Sequence, residues 1–241
     1  MLRLIIALIY TVVSVIVCMP RHFYLKHQIK KDHMTGRRKS QKLVRGFFRG
    51  LLKICGTEIE VRGEEKLLED KAALYVGNHR SYFDIIIPQT IVKTPLGFIA
   101  KKEFHKVPLF HCYMDDIGCL YLDRKSPREG LKTINQGIEY MKDGLALGLF
   151  PEGTRNHGDK LMNFKPGGYR MAEKSGCPIV LMALTNFDDI YENNKHGFIK
   201  KTKVIIEFSD PVYVSEMSNA ERKQFYADIP NRIQAMLDTH K

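Results

Sequence analysis

Seven short apolar runs, at residues 58–61, 72–76, 96–100, 117–122, 145–150, 178–184 and 204–208, punctuate this chain. Each has strand length, and those at 72–76 and 145–149 read as buried strands. Helical patterns lie between several of them. The clearest opens at Ser126-Pro127-Arg128-Glu129, an N-cap followed by proline at the first helical position and a capping-box glutamate. That helix is expected to bury Leu131, Ile134, Ile138 and Met141 and to stop at Asp143-Gly144. A second capping box, Ser218-Asn219-Ala220-Glu221, opens a C-terminal helix that Pro230 should break or kink. The alternation predicts an α/β fold, a mixed sheet flanked by helices.

The N-terminal quarter reads differently. The net charge of +11 lies almost wholly in residues 20–53, which carry eleven Lys/Arg and the single acid Asp32, while residues 54–241 are balanced. Before this basic stretch, residues 2–19 hold only Arg3 as a charge. As a helix they would span about 27 Å, slightly short of a hydrocarbon core of about 30 Å. No small-residue cleavage site follows them, which disfavours a signal peptide. The reading is a membrane-attached helical segment whose basic flank stays on the cytoplasmic side. Leu43, Val44, Phe47, Phe48, Leu51, Leu52 and Cys55 then form an apolar helical face, with Arg45, Arg49 and Lys53 in another row. Such a helix either lies in an anionic lipid interface or packs on the core. The division is thus 1–55, membrane anchor and basic amphipathic helix, and 56–241, the catalytic domain. Nucleic acid is the less suitable polyanion beside so apolar a segment. Five unpaired-looking cysteines fit a reduced, cytosol-facing domain at the cell membrane.

Two strand-like runs end in chemistry. After 72–76 comes Asn78-His79-Arg80-Ser81-Tyr82-Phe83-Asp84, and after 145–149 comes Phe150-Pro151-Glu152-Gly153-Thr154-Arg155. Carboxyl ends of strands are where open α/β sheets bind ligands. Five helical steps rotate about 140°, so His79 and Asp84 can meet only if the chain turns sharply after His79, with the helix starting near Ser81. Asp84 would then accept from Nδ1–H and leave Nε2 as a base. Ser81 is read as a cap or turn residue. Pro151 and Gly153 force a turn, and Arg155 places a planar cation suited to phosphate beside it. Arg124 is a second phosphate candidate, and Lys101 and Lys165 are weaker ones. Glu152, an anion, is expected to orient Arg155 or a substrate hydroxyl. No cluster suggests a bound metal.

His-x4-Asp followed by Phe-Pro-Glu-Gly-Thr-Arg resembles the glycerolipid acyltransferases, the 1-acyl-glycerol-3-phosphate acyltransferases above all. Gly118-Cys119-Leu120-Tyr121-Leu122-Asp123-Arg124 resembles that family's second block, and residues 177–184 its apolar fourth block without the usual second proline. The resemblance implies His79 and Asp84 as catalytic residues. It also implies that Glu152 and Arg155 organise the acceptor's phosphate, with Gly153 and Thr154 of the same block as substrate-binding residues. The reaction so implied moves a fatty acyl group from acyl-CoA or acyl carrier protein to the 2-hydroxyl of 1-acyl-glycerol-3-phosphate (lysophosphatidic acid), giving phosphatidic acid, with no cofactor. Another acceptor, such as glycerol-3-phosphate or a lysophospholipid, and a non-catalytic protein docking on anionic membrane are the alternatives at this stage.

Overall fold

The computed structural model describes residues 1–158 and 160–240. Three α-helices open the chain: α1 (Leu2–Val17), α2 (Met19–Lys31) and α3 (His33–Cys55). Within the described residues, seven strands and five further α-helices follow. In order they are β1 (Glu58–Arg62), β2 (Leu74–Gly77), α4 (Phe83–Ile91), β3 (Leu96–Lys101), α5 (Phe110–Asp116) and β4 (Leu120–Leu122). Next come α6 (Pro127–Lys142), β5 (Ala146–Leu149), α7 (Arg170–Ser175), β6 (Ile179–Thr185), β7 (Lys203–Phe208) and α8 (Asn219–Asp238). Every predicted run contains a strand. The one at 117–122 is shortened because the turn that closes α5 uses its first half.

The strands form one sheet in the order β1-β7-β6-β2-β5-β3-β4, parallel except for the β6/β7 pair. The predicted mixed sheet flanked by helices is therefore present. Successive side chains of a strand point to opposite faces. Accordingly Ala73 and Tyr75 join the core beneath α3 and α4, whereas Leu74 and Val76 join the one beneath α6, α7 and α8. At the centre, Val76 pairs with Leu149, so β2 and β5 end side by side and deliver the two motifs to one edge.

Several expectations change. Leu131 is exposed, because the buried face of α6 is set by Gly137, Ile138 and Met141 nearer its C-terminus. α8 continues through Pro230; one missing N–H is outweighed by Ile229 and Ile233, both wholly buried. The apolar face of α3 is core: Val44, Phe48, Leu51, Leu52 and Cys55 are all buried, worth about 1.5–3 kcal/mol for each large side chain. Two arginines of its basic row reach back to the protein. Arg45 donates through Nε to the Gln89 carbonyl at 3.2 Å and through Nη2 to that of Val92 at 2.5 Å. Arg49 reaches the Thr90 carbonyl at 3.4 Å. These are the carbonyls left unpaired at the C-terminus of α4, where cations are favoured.

α1 lies along α3, with Tyr10 stacked on Phe47 at 5.5 Å and its hydroxyl donating to the Phe47 carbonyl. Its opposite face is bare and apolar, exposing Leu2, Ile5, Ile9, Val12 and Ile16. No single described helix is long and apolar enough to cross a membrane; α1 and α2 form a pair bent by 54°.

Candidate active site

Asn78 ends β2 by imitating a strand residue: its side chain donates to the Leu184 carbonyl and accepts from the Leu184 N–H, both at 2.9 Å. The backbone is thus released from the ladder and turns at His79. α4 begins at Phe83, two residues later than the sequence suggests, because Arg80–Tyr82 form the turn. That turn brings His79 Nδ1 to 2.7 Å from Asp84 Oδ2. The same oxygen accepts the N–H groups of Arg80 at 2.6 Å and Ser81 at 2.8 Å. Asp84 is wholly buried, and burial pushes its carboxyl above the usual range although these donors pull the other way. Ser81 is a turn residue, its hydroxyl accepting from Phe83 N–H and donating to Glu192.

The imidazole is fixed on its face as well. Phe150 stacks on His79 at 4.4 Å, and Phe98 stacks on Phe150 at 5.9 Å. Phe98 has room only because residue 148 is glycine; a Cβ there would come within 2.3 Å of its ring. The turn after β5 then grips the His79 backbone from both sides. Glu152 Oε1 accepts its N–H at 2.7 Å, and Asn156 N–H donates to its carbonyl at 2.7 Å. Glu152 Oε2 accepts from Met162 N–H at 3.1 Å. Glu152 therefore does not orient Arg155, as the sequence suggested. It is a buried clamp on the histidine's backbone, with its carboxyl pushed up by burial.

Arg155 is held by Glu192 instead, at 3.3 Å, and lies 3.9 Å over the Tyr82 ring with Nη2 donating to the Tyr82 hydroxyl. Gly153 takes a left-handed φ of +78°. A Cβ at this glycine would lie 3.6 Å from Lys165 Nζ and 3.8 Å from the Arg124 guanidinium carbon, so both cations flank the turn. Among the described residues neither has an ion-pair partner. Lys101 pairs loosely with Glu103 at 3.7 Å.

These groups surround two adjoining cavities. The larger, about 670 Å³ and mainly apolar, runs from His79, Arg124 and Arg155 past Phe98 and Phe104 to Phe47, Leu51, Tyr113 and Met114. Thr11, Ser14, Val15 and Cys18 from the N-terminal helices complete its wall. The smaller, about 500 Å³ and polar, is lined by Arg124, Glu152, Gly153, Thr154, Met162, Asn163 and Lys165. The structure thus brings every predicted site residue to one region, Lys101 among those lining the larger cavity. Sequence reasoning missed Tyr82 and Phe150 as contact groups, although both lie in the motifs. It also missed Asp188, which holds Arg80 Nε at 2.7 Å, and Glu192. Their only signal is a run of acids just after a strand end.

Residues 58–185 match the family model described as Acyltransferase. A 1-acyl-sn-glycerol-3-phosphate acyltransferase of Saccharomyces cerevisiae is 28% identical over 200 residues, 82% of this chain and 64% of its own length. The chain thus spans just under two thirds of that relative. Proteins of the same name from Haemophilus influenzae and Salmonella typhimurium are 26% and 28% identical. Those alignments cover 89% and 93% of this chain, and 86% and 87% of theirs. The crystal structure of the 1-acyl-sn-glycerophosphate (LPA) acyltransferase PlsC from Thermotoga maritima has the same fold, with a TM-score of 0.77 at 21% identity, covering 99% of this chain and 97% of that one.

Proposed function

The chain belongs to the acyltransferase family, and from that premise we propose that it transfers a fatty acyl group from acyl-CoA or acyl carrier protein to the 2-hydroxyl of 1-acyl-glycerol-3-phosphate, yielding phosphatidic acid. The observation that carries this reading is the His79–Asp84 pair at 2.7 Å on the wall of an apolar cavity whose same end bears arginines. The names of the relatives support the acceptor.

In this reaction Asp84 keeps the proton on Nδ1, and His79 Nε2 removes the proton of the acceptor hydroxyl as its oxygen attacks the thioester carbonyl. The tetrahedral intermediate collapses, the carbon–sulfur bond breaks, and the imidazolium returns its proton to the leaving thiolate. A thioester is activated already, so no covalent acyl-enzyme and no cofactor is required. Ser81, committed to Glu192 and Phe83, supplies no nucleophile. The large cavity takes hydrocarbon. Arg124 and Lys165, together with Arg155, Thr154 and Lys101, hold the phosphate, and Glu152 acts through the His79 backbone. The bare face of α1, whose 16 residues reach about 24 Å, rests in the cytoplasmic leaflet.

The test is direct. Purified protein in mixed micelles is given lysophosphatidic acid, glycerol-3-phosphate or a neutral lysophospholipid, each with acyl-CoA or acyl carrier protein, and products are read by mass spectrometry. Phosphatidic acid acylated at the 2-position is expected. Thiol release without any phosphatidic acid would sink the acceptor assignment.

A further inference from the structure

Most contacts that hold the His79 turn come from within the family-matched residues 58–185, but two carboxylates that grip it, Asp188 and Glu192, do not, and of these Glu192 alone also reaches Arg155. Glu192 follows the 3-10 turn after β6, and its side chain is only 6% exposed. Its Oε2 accepts from the Ser81 hydroxyl at 2.8 Å. Its Oε1 accepts from Tyr82 N–H at 2.8 Å and from Arg155 Nη1 at 3.3 Å. One buried anion thus joins the segment leaving β2, which carries the base, to the segment leaving β5, which carries the cation.

We infer that Glu192 is a positioning residue for the transfer, its carboxylate locking the His79 turn and the Arg155 guanidinium at one fixed separation. The inference rests on the acyl-transfer reading above. The lock has two sides, because Tyr82, whose backbone Glu192 holds, also supplies the ring beneath Arg155 and a hydroxyl for its Nη2. A guanidinium has more donors than these contacts use, so Arg155 can be held and still meet a phosphate. An amide oxygen at position 192 still accepts from Tyr82 N–H and from the same side of Arg155, but without the charge that makes the contact with the guanidinium strong. Glu192→Gln therefore loosens Arg155 while disturbing the turn least.

Steady-state kinetics on Glu192→Gln, Arg155→Ala and the double variant of the full chain test this. Glu192→Gln should raise KM for lysophosphatidic acid roughly tenfold and leave KM for acyl-CoA within about twofold. In the Arg155→Ala background it should add nothing to acceptor KM, because its partner is gone. The side-chain ¹⁵N resonances of Arg155 in the substrate-free protein give a second readout. Hindered Nη rotation is expected in the wild type and averaging in Glu192→Gln. Additive effects on acceptor KM, or Arg155 resonances blind to Glu192→Gln, overturn the proposal. So does a variant with both KM values unchanged and only a lower melting temperature. A wild type that acylates no phosphorylated acceptor, yet whose Arg155 resonances respond to Glu192→Gln, upholds the lock and removes the functional reading instead.

Discussion

Replacing Glu152 by glutamine separates a clamp from a substrate ligand. Each carboxylate oxygen takes one backbone N–H, His79 at 2.7 Å and Met162 at 3.1 Å. Glutamine offers oxygen to only one of them and turns an NH₂ toward the other. A buried N–H left unpaired costs about 1–3 kcal/mol. Part of that is recovered, because the amide escapes the burial penalty that pushes the Glu152 carboxyl up. A net loss of about 1–2 kcal/mol remains, which in a domain of this size lowers Tm by roughly 2–8 °C. The His79 backbone then shifts, and a misplacement of about 1 Å is worth on the order of 100-fold in turnover. Differential scanning fluorimetry and initial-rate kinetics should show a lower Tm, kcat reduced by roughly 10–100-fold and both KM values within about twofold. An unchanged Tm with acceptor KM raised by about tenfold or more would show that Glu152 grips the acceptor, and the clamp would be wrong.

Asp84→Asn should lower kcat by about 10²–10⁴-fold by disturbing the His79 tautomer. Because burial raises the Asp84 carboxyl, its ionisation opposes folding; the cost is absent below the unfolded value of about 3.9 and grows as pH rises above it. The variant should therefore melt higher than wild type near pH 7, by a margin that vanishes toward pH 4, and a lower Tm at pH 7 would show that the three donors outweigh burial. Arg45→Glu should lose about 2–4 kcal/mol in urea titration, since it sets an anion against the C-terminal carbonyls of α4. Lost vesicle binding with an unchanged midpoint would return that arginine to the lipid surface. Deleting residues 1–17 should abolish transfer even to acceptor dispersed in detergent, because Thr11, Ser14 and Val15 wall the larger cavity. Retained activity there would make α1 an anchor alone.

The central strands were readable because both faces of the sheet are covered there, so burial wrote itself as unbroken apolar runs in β2 and β5. The His79–Asp84 pair was readable because its geometry is local, a turn of six residues. Contacts between distant segments were not. Glu152 looks like a ligand beside Arg155 in the chain, yet the β5 turn aims it at a backbone N–H of the neighbouring strand end. The Arg45 row has the spacing of a lipid-facing stripe. Only the arrival of α4 against α3 shows that it serves helix carbonyls. Leu131 follows the helical period of α6 but falls beyond the strip that the sheet covers.

The pairing of Glu58 with Lys203 sets a timetable for biosynthesis. At about 5–20 residues per second, β1 waits on the order of ten seconds for the strand that completes its edge. Such long-range parallel closure is slow in any case. During that interval the nascent chain carries an unpaired strand edge and the uncovered apolar face of α1 together, the two features most prone to aggregation. A lipid surface or a chaperone reaching α1 early would shield the first of the two to emerge. Substitutions that loosen β7, far from the histidine, should then be felt as lost yield of soluble or membrane-bound protein, with the molecules that do mature turning over at the normal rate.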